Sequence, residues 1–156
     1  MRERGFEVAK GWENRGIELP HRSTTHSAGY DIAAADDVVI PTFRPGIKPT
    51  FIPTGLKAYC QSDECYYIFN RSSGSSKGIV LANGVGVVDA DYYENSDNDG
   101  HFQVLAFNVA DHDLHIKKGD RIAQVIFQKF LTVDDDVAHG ARQGGFGSTD
   151  NNKEVK

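Results

Sequence analysis

The 156-residue chain is long enough for one domain, which can bury about two-thirds of its unfolded surface around a single core. A net charge of −5 excludes broad binding to nucleic acid or to an anionic membrane, because both require a basic surface. Cys60 and Cys65 have four residues between them, which fits neither a redox CxxC pair nor a zinc knuckle, and no signal peptide or membrane-length apolar run occurs. We therefore expect a cytoplasmic protein.

The first third of the chain predicts short strands joined by turns. Phe6 and Val8 alternate with polar residues, as in an edge strand, and residues 38–40 form an apolar run that stops at a proline. Asp31 follows a stretch of small residues, and taken alone it is more typical of a turn than of a buried acid. Four prolines between residues 41 and 53 exclude a helix there and favour further short strands.

The middle of the chain predicts two β-hairpins. Residues 56–69 place aromatic and β-branched residues on both sides of a polar centre, QSDE. Residues 78–92 hold two apolar runs around Asn83 and Gly84, a dipeptide that favours a type I′ turn. Between them, residues 71–78, RSSGSSKG, could contact a phosphate or could be a connector or a helical turn.

The second predicted hairpin ends in polar side chains that a catalytic site could use. Asp89, Asp91 and Tyr92 directly follow its second apolar run, where a rigid strand could aim a carboxylate. Asp89 is a candidate general base, and the alternative is a solvated acidic turn.

The last third predicts more strands and one acidic loop. Residues 94–100, ENSDNDG, begin like a calcium loop, but its twelfth position is Ala106 rather than a bidentate Glu, so we expect a mobile acidic turn. Residues 102–109 read as a strand, and residues 120–130, although ambiguous in period, favour a strand by their β-branched content. Gln124 on that strand is either an edge residue or a ligand donor. The residues after Gly140 resemble a disordered terminus, or a segment that wraps a phosphate.

Five segments, in order, resemble the motifs of the trimeric dUTP nucleotidohydrolases: AGYDI, RSSGSSKG, NGVGVVDADY, GDRIAQ and RQGGFGST. The resemblance implies an all-β, jelly-roll-like domain over residues 1–138 with at most one short helix, followed by a flexible C-terminal arm over residues 139–156. It also implies a homotrimer in which each site draws on three subunits. The implied reaction is Mg²⁺-assisted hydrolysis of dUTP to dUMP and pyrophosphate, which keeps uracil out of DNA and supplies dUMP for dTMP synthesis.

The resemblance also implies roles for single residues. Asp89 would activate the attacking water, and Asp31 would lie near the metal ion through a water molecule. The phosphate contacts would be Arg71, Ser72, Ser73 and Gln124. Uracil would be read by Asn83 and by the backbone that follows it, through Gly86 and Val88, and Tyr92 would pack on the deoxyribose. The arm would place Arg142 on the terminal phosphate and Phe146 over the base, beside Gly147, Ser148 and Thr149.

The sequence departs from the family pattern at three places. Asn70 precedes the second motif where many relatives have Pro, ENSDNDG replaces a short Gly-containing turn, and Asp150 stands where a Gly often ends the fifth motif.

Two rival interpretations of the function remain open. One is a dCTP deaminase, or a bifunctional deaminase and diphosphatase, of the same fold. The other is a regulatory protein that binds nucleotide without catalysis. Phe146 favours dUTP hydrolysis, because an aromatic lid over the base would exclude bulk water.

Overall fold

The computed structural model describes residues 1–138, 140 and 142. This part of the chain forms eleven β-strands, one α-helix and one 3₁₀ turn. The strands are β1 (Gly5–Val8), β2 (Tyr30–Ala33), β3 (Val38–Ile40), β4 (Thr50–Pro53), β5 (Leu56–Tyr59), β6 (Glu64–Phe69), β7 (Ile79–Leu81), β8 (Gly86–Asp89), β9 (Gln103–Asn108), β10 (Leu114–Ile116) and β11 (Arg121–Lys129). The helix α1 spans Ser72–Lys77, and the 3₁₀ turn spans Ala90–Tyr92. No helix in the described ranges is long and apolar enough to cross a membrane.

Two sheets carry most of the strands. The larger has four strands in the order β2, β11, β6, β8, and the smaller has three in the order β4, β9, β7. Two further pairs, β1 with β5 and β3 with β10, complete the pairing, and all of these ladders are antiparallel. This arrangement confirms the predicted all-β, jelly-roll-like fold with one short helix.

One hydrophobic core lies between the two larger sheets. Along β9, Val104 and Ala106 are buried, whereas Leu105 and Phe107 on the other face are half-buried. Val125 of β11 belongs to the same core cluster from the opposite sheet. Since burial of one such aliphatic side chain stabilises the fold by about 1.5–3 kcal/mol, this shared core holds the two sheets together.

Several strand predictions are confirmed. Residues 38–40 form β3, residues 102–109 contain β9, and the ambiguous segment 120–130 contains β11. Because β11 pairs with β2 on one side and with β6 on the other, Gln124 is not an edge residue. The Gly/Ser segment 71–78 takes the helical alternative and contains α1.

Both predicted β-hairpins are wrong, although their strands exist. β5 pairs with β1 while β6 pairs with β11 and β8, and β7 pairs with β9 while β8 pairs with β6. A type I′ turn needs positive φ at both central residues, but only Gly84 has it, at +69°, and Asn83 does not. In both cases the chain crosses from one sheet to another, so the apolar runs face a common core from opposite sides.

Two predicted turns also differ from the structure. Asp31 lies within β2, opposite Gln124 of β11, and is not in a turn. The acidic segment 94–100 is anchored by its own side chains, because Asn95 is buried and bonds to neighbouring backbone groups. Such buried hydrogen bonds argue against a freely mobile loop.

Candidate active site

The first cluster of predicted site residues surrounds the Asp31 carboxylate. Arg71 Nε lies 3.0 Å from Asp31 Oδ1, and Arg121 Nη1 lies 3.4 Å from Oδ2. The Ser23 hydroxyl donates a 2.6 Å hydrogen bond to Oδ2. Burial raises the pKa of Asp31, but the Ser23 hydrogen bond and the charges of Arg71 and Arg121 outweigh it, so the pKa lies below its usual value. Asp31 is therefore held as a carboxylate between two guanidinium groups.

Arg71 is placed by the turn that starts α1. Its backbone is extended, and the helix begins at the next residue. Its Nη1 donates to the backbone carbonyl of Arg121 at 3.1 Å, which joins the start of α1 to β11. Ser72 and Ser73 are exposed in the first turn of the helix. One guanidinium and two hydroxyl groups therefore share a surface that could contact phosphate oxygens.

Gln124 faces the same cluster from β11. The strand register sets it opposite Asp31 of β2 and Phe69 of β6. Its Nε2 donates a 3.0 Å hydrogen bond to the carbonyl of Asn70. A Cβ atom at Gly29, directly before β2, would meet Gln124 Oε1, so a larger residue there would displace this side-chain amide.

The second cluster lies at the end of β8. The Asp89 side chain is 57% exposed, and Arg142 Nη2 lies 2.5 Å from its Oδ2. Arg142 Nε lies 2.7 Å from Asp91 Oδ1, and the guanidinium stands 6.0 Å from the centre of the Tyr92 ring. One partly buried cation thus compensates for two exposed carboxylates directly beside the predicted general base.

The edge of β8 offers unpaired backbone groups next to Asp89. β8 is the outer strand of its sheet, so its far side has no strand partner within the described part of the chain. Gly86 is buried against Ile68, whose Cβ would lie 3.1 Å from a Cβ at position 86, while Val88 is half-buried and Asn83 is exposed. Free amide and carbonyl groups on such an edge can serve as donors and acceptors for a ligand.

Tyr92 ends the 3₁₀ turn that directly follows Asp89. It is only 6% exposed, and burial raises the pKa of its hydroxyl. The hydroxyl donates to the backbone carbonyl of His101 at 2.8 Å and accepts from Asn98 Nδ2 at 2.7 Å. The ring therefore has a fixed position relative to the Asp89 carboxylate.

The two clusters lie at opposite ends of β6 in one chain. Asp89 pairs with Cys65, whereas Gln124 pairs with Phe69. Four residues of extended strand correspond to about 13 Å, so Asp89 and the cluster around Asp31 are too far apart to act on one phosphate group. The predicted arm residues Phe146, Gly147, Ser148 and Thr149 lie outside the described residues.

The structure adds two residues, Arg121 and Asn70, that the sequence did not single out as candidate site residues, and it gives a contact for Asp91, which the sequence named beside Asp89. Arg121 reaches Asp31, although three positions along a strand would place Arg121 and Gln124 on opposite faces. A register shift between Arg121 and Ala123 alters that alternation. Asn70, noted only as a departure, accepts the Arg71 backbone N–H at 3.0 Å, and Asp91 shares Arg142 with the predicted base. In the sequence, Arg121 could be found by its place in the fourth motif, Asn70 by its departure from the family pattern, and Asp91 by its position two residues after Asp89.

Comparison with known proteins gives a consistent result. The sequence model of the dUTPase family matches residues 15–150. Deoxyuridine 5'-triphosphate nucleotidohydrolase of Lactococcus lactis is 50% identical over 152 residues, covering 96% of this chain and 99% of that protein. The enzyme of the same name from avian adenovirus 8 is 36% identical over 141 residues, covering 83% of this chain and 76% of that protein.

Solved structures show the same fold. The crystal structure of dUTPase from Streptococcus mutans superposes with a TM-score of 0.76 at 40% identity, covering 83% of this chain and 98% of that chain. The dUTPase of Staphylococcus aureus phage phi11 superposes with a TM-score of 0.69 at 19% identity, covering 89% of this chain and 97% of that chain. At this lower identity the likeness concerns the fold alone.

Proposed function

The chain belongs to the dUTPase family, and on this premise we propose that it hydrolyses dUTP to dUMP and pyrophosphate. The observation that carries the proposal is the end of β8, where the exposed carboxylate of Asp89 stands beside an unpaired strand edge and the fixed ring of Tyr92. In this proposal the strand edge would contact the base, the Tyr92 ring would contact the sugar, and Asp89 would lie beside the reacting phosphate. The reaction would keep uracil out of DNA and supply dUMP for dTMP synthesis.

Uracil recognition would use the edge of β8. The backbone groups from Asn83 to Val88 can pair with the polar edge of a uracil ring, and the proposed pocket would leave no room beside its C5 atom. A methyl group at C5 would then meet protein atoms, and a steric clash can reject a ligand by more than the ~1–3 kcal/mol that a methyl gains in a pocket. The Tyr92 ring, packed against C2′ of the sugar, would reject ribose in the same way, by a steric clash with its 2′-hydroxyl group.

Asp89 would act as the general base. Its carboxylate takes a proton from a water molecule, whose oxygen attacks the α-phosphorus while the bond from that phosphorus to the bridging oxygen breaks. The electron pair of that bond leaves with pyrophosphate. Arg142 now bridges Asp89 and Asp91, and a bound triphosphate would draw this guanidinium to its terminal phosphate. That exchange would free the Asp89 carboxylate for the water.

The other phosphate contacts would come from the cluster around Asp31. Arg71, Ser72, Ser73 and Gln124 provide charged and neutral donors. Arg121 adds a second guanidinium on the same surface. Because a triphosphate carries several negative charges, two cations and several neutral donors on one surface suit it well.

The residues present fit a Mg²⁺ ion held mainly by the substrate. No group of three His, Cys, Asp or Glu side chains among residues 1–138, 140 and 142 is placed to hold a metal ion. Asp31 makes three polar contacts, to Ser23, Arg71 and Arg121, and a carboxylate has about four acceptor positions, which leaves one for a metal-bound water. When bound with the triphosphate, Mg²⁺ would neutralise its charge and polarise its oxygens.

A homotrimer with shared sites would bring the two clusters together. In one chain Asp89 is about 13 Å of strand away from the cluster around Asp31, and this separation supports a site in which a second subunit supplies one of them. The described chain also exposes large apolar side chains after β11, namely Phe130, Leu131, Val133 and Val137. Exposed apolar segments of this kind are typical of subunit contacts.

The proposal is tested by measuring pyrophosphate and ammonia release from dUTP, dCTP, dTTP and UTP in the presence of Mg²⁺. We expect pyrophosphate from dUTP and little from dTTP or UTP. Ammonia from dCTP would assign the chain to the deaminase branch of the fold. Nucleotide binding without release of either product would support the regulatory alternative and contradict the proposed hydrolysis.

A further inference from the structure

We propose that Asn95 and Asn98 are positioning residues that fix the Tyr92 ring and thereby set the preference for 2′-deoxyribose over ribose. Both belong to the segment 94–100, ENSDNDG, which replaces the short turn expected after the third motif. The inference rests on the proposed function, since it assigns these amides a part in sugar selection by Tyr92.

The amide of Asn98 holds the Tyr92 hydroxyl in one direction. Its Oδ1 accepts from the backbone N–H of Gly100 at 3.0 Å and from Asn95 Nδ2 at 2.8 Å. A backbone N–H can only donate, so the other end of the amide, Nδ2, must face the Tyr92 hydroxyl, 2.7 Å away. The hydroxyl proton is then directed to the carbonyl of His101.

Asn95 holds the backbone of the same tyrosine. Its Oδ1 accepts from the backbone N–H groups of Asp97 and Asn98 at 3.0 and 3.1 Å, and its Nδ2 donates to the Tyr92 carbonyl at 2.8 Å. Asn95 is 8% exposed, so these bonds are largely shielded from water. The two amides therefore fix both the main chain and the side-chain tip of Tyr92.

The segment that carries these amides is itself anchored to β5. Lys57 is 7% exposed, and its Nζ lies 2.9 Å from Glu94 Oε1 and 3.0 Å from Asp99 Oδ2. Gly100 has φ of +85°, and a Cβ there would lie 2.9 Å from the carbonyl oxygen of Tyr92. Both ends of the loop are thus pinned, which gives the amides a rigid base.

Tyr92 needs this support because its own element is short. The 3₁₀ turn has three residues and no side-chain cap, so it contributes little to the orientation of a ring. Steric discrimination between hydrogen and hydroxyl at C2′ depends on the ring keeping its position relative to the sugar to within a fraction of an ångström, because a displacement near 1 Å can cost about 10²-fold in rate. Loss of the amide contacts should therefore reduce selectivity for the sugar.

The decisive experiment compares kcat/KM for dUTP and for UTP in the wild-type chain and in four full-length variants. Asn98→Asp keeps an acceptor for Gly100 but replaces the donor to Tyr92 with an oxygen. Tyr92→Phe keeps the ring and removes the hydroxyl. We expect each change to lower the dUTP/UTP ratio by about tenfold, and the double variant to show no further loss, because both act through one contact. Asp97→Asn is the matched control, since within the described residues its carboxylate makes no hydrogen bond to Tyr92, and its ratio should equal that of the wild type.

Three outcomes overturn the inference. One is an unchanged ratio in folded Asn98→Asp, and a second is an unchanged ratio in Tyr92→Phe, which tests the contact even if the first variant does not fold. The third is an equal fall in Asp97→Asn, which would indicate a general effect of the loop. If the wild-type chain does not hydrolyse dUTP, the proposed function fails together with this inference. If it does and the ratio does not move, only this inference fails.

Discussion

Mixing two inactive variants tests whether the site is divided between subunits. Asp89→Asn removes the proposed base at the end of β8, and Arg71→Ala removes a phosphate contact at the other end of β6. Arg71→Ala should still fold, because Asp31 keeps Arg121 and Ser23 as partners. Each variant alone should hydrolyse dUTP far more slowly than the wild type.

The recovery expected on mixing follows from the geometry. If Asp89 and Arg71 of one site belong to different subunits, random exchange at equal amounts gives a wild-type Asp89 to about half of the sites and a wild-type Arg71 to about half of those, so about a quarter of the sites are intact. If both residues belong to one chain, no site is intact. Pyrophosphate release from dUTP after unfolding and joint refolding distinguishes the two cases.

The matched control mixes Asp89→Asn with the double variant Asp89→Asn/Arg71→Ala. No pairing of these subunits contains a wild-type Asp89, so activity should stay at the level of the single variants. Absence of recovery in the first mixture, after mass spectrometry has confirmed mixed oligomers, would refute the divided site.

Three other results are expected. Chelation of Mg²⁺ should abolish pyrophosphate release from dUTP, and excess Mg²⁺ should restore it, because the proposed ion neutralises the triphosphate. Lys57→Met should lower the free energy of unfolding by about 1–3 kcal/mol in a denaturant titration, since Glu94 and Asp99 lose a buried partner. Stability should fall as pH drops below 6.5, because burial holds the pKa of His101 below that ordinary value and the unfolded chain therefore takes up the proton first. The melting temperature measured between about pH 7 and pH 5 should decline in the wild type and stay nearly level there in His101→Gln.

Each of these results has a contrasting variant or outcome. Hydrolysis that persists in excess chelator would contradict the need for the ion. Lys129→Met removes an exposed ion pair with Asp63 and should leave the free energy of unfolding nearly unchanged. An equal loss in the Lys57 and Lys129 variants would contradict the special role of the buried lysine. An identical pH dependence in His101→Gln and the wild type would remove His101 as its cause.

The sequence predicted the strands better than their partners. Local composition identifies β3, β9 and β11, because β-branched and aromatic residues favour a pleated, half-buried surface. Pairing is set by the whole fold, so Asn83 and Gly84, which favour a hairpin locally, instead lie in a crossing between two sheets. Asp31 was mistaken for a turn residue for the same reason, since its partner Gln124 is distant in sequence.

The sequence motifs suggested candidate site residues, whereas contacts that form only in the folded chain could not be predicted from them. The order of five segments led to Asp89, Arg71 and Gln124 as proposed site residues, and the structure places Arg71 and Gln124 in one cluster and Asp89 in another. The support given by Asn98 could not be predicted, because ENSDNDG has no counterpart in the motifs, and its bond to Tyr92 depends on the folded loop. Side-chain hydrogen bonds of this kind leave no periodic signal in a sequence.

The role of Asp89 is tested most directly by measuring dUTP binding and turnover in the Asp89→Asn variant beside the wild type. The substitution keeps the size of the side chain and removes its ability to accept a proton from water. The account predicts that calorimetry with a non-hydrolysable dUTP analogue gives binding close to that of the wild type, whereas dUTP turnover is lower by about 10²–10⁴-fold. Turnover equal to that of the wild type would contradict it, because Asp89 could not then be the base that activates the attacking water.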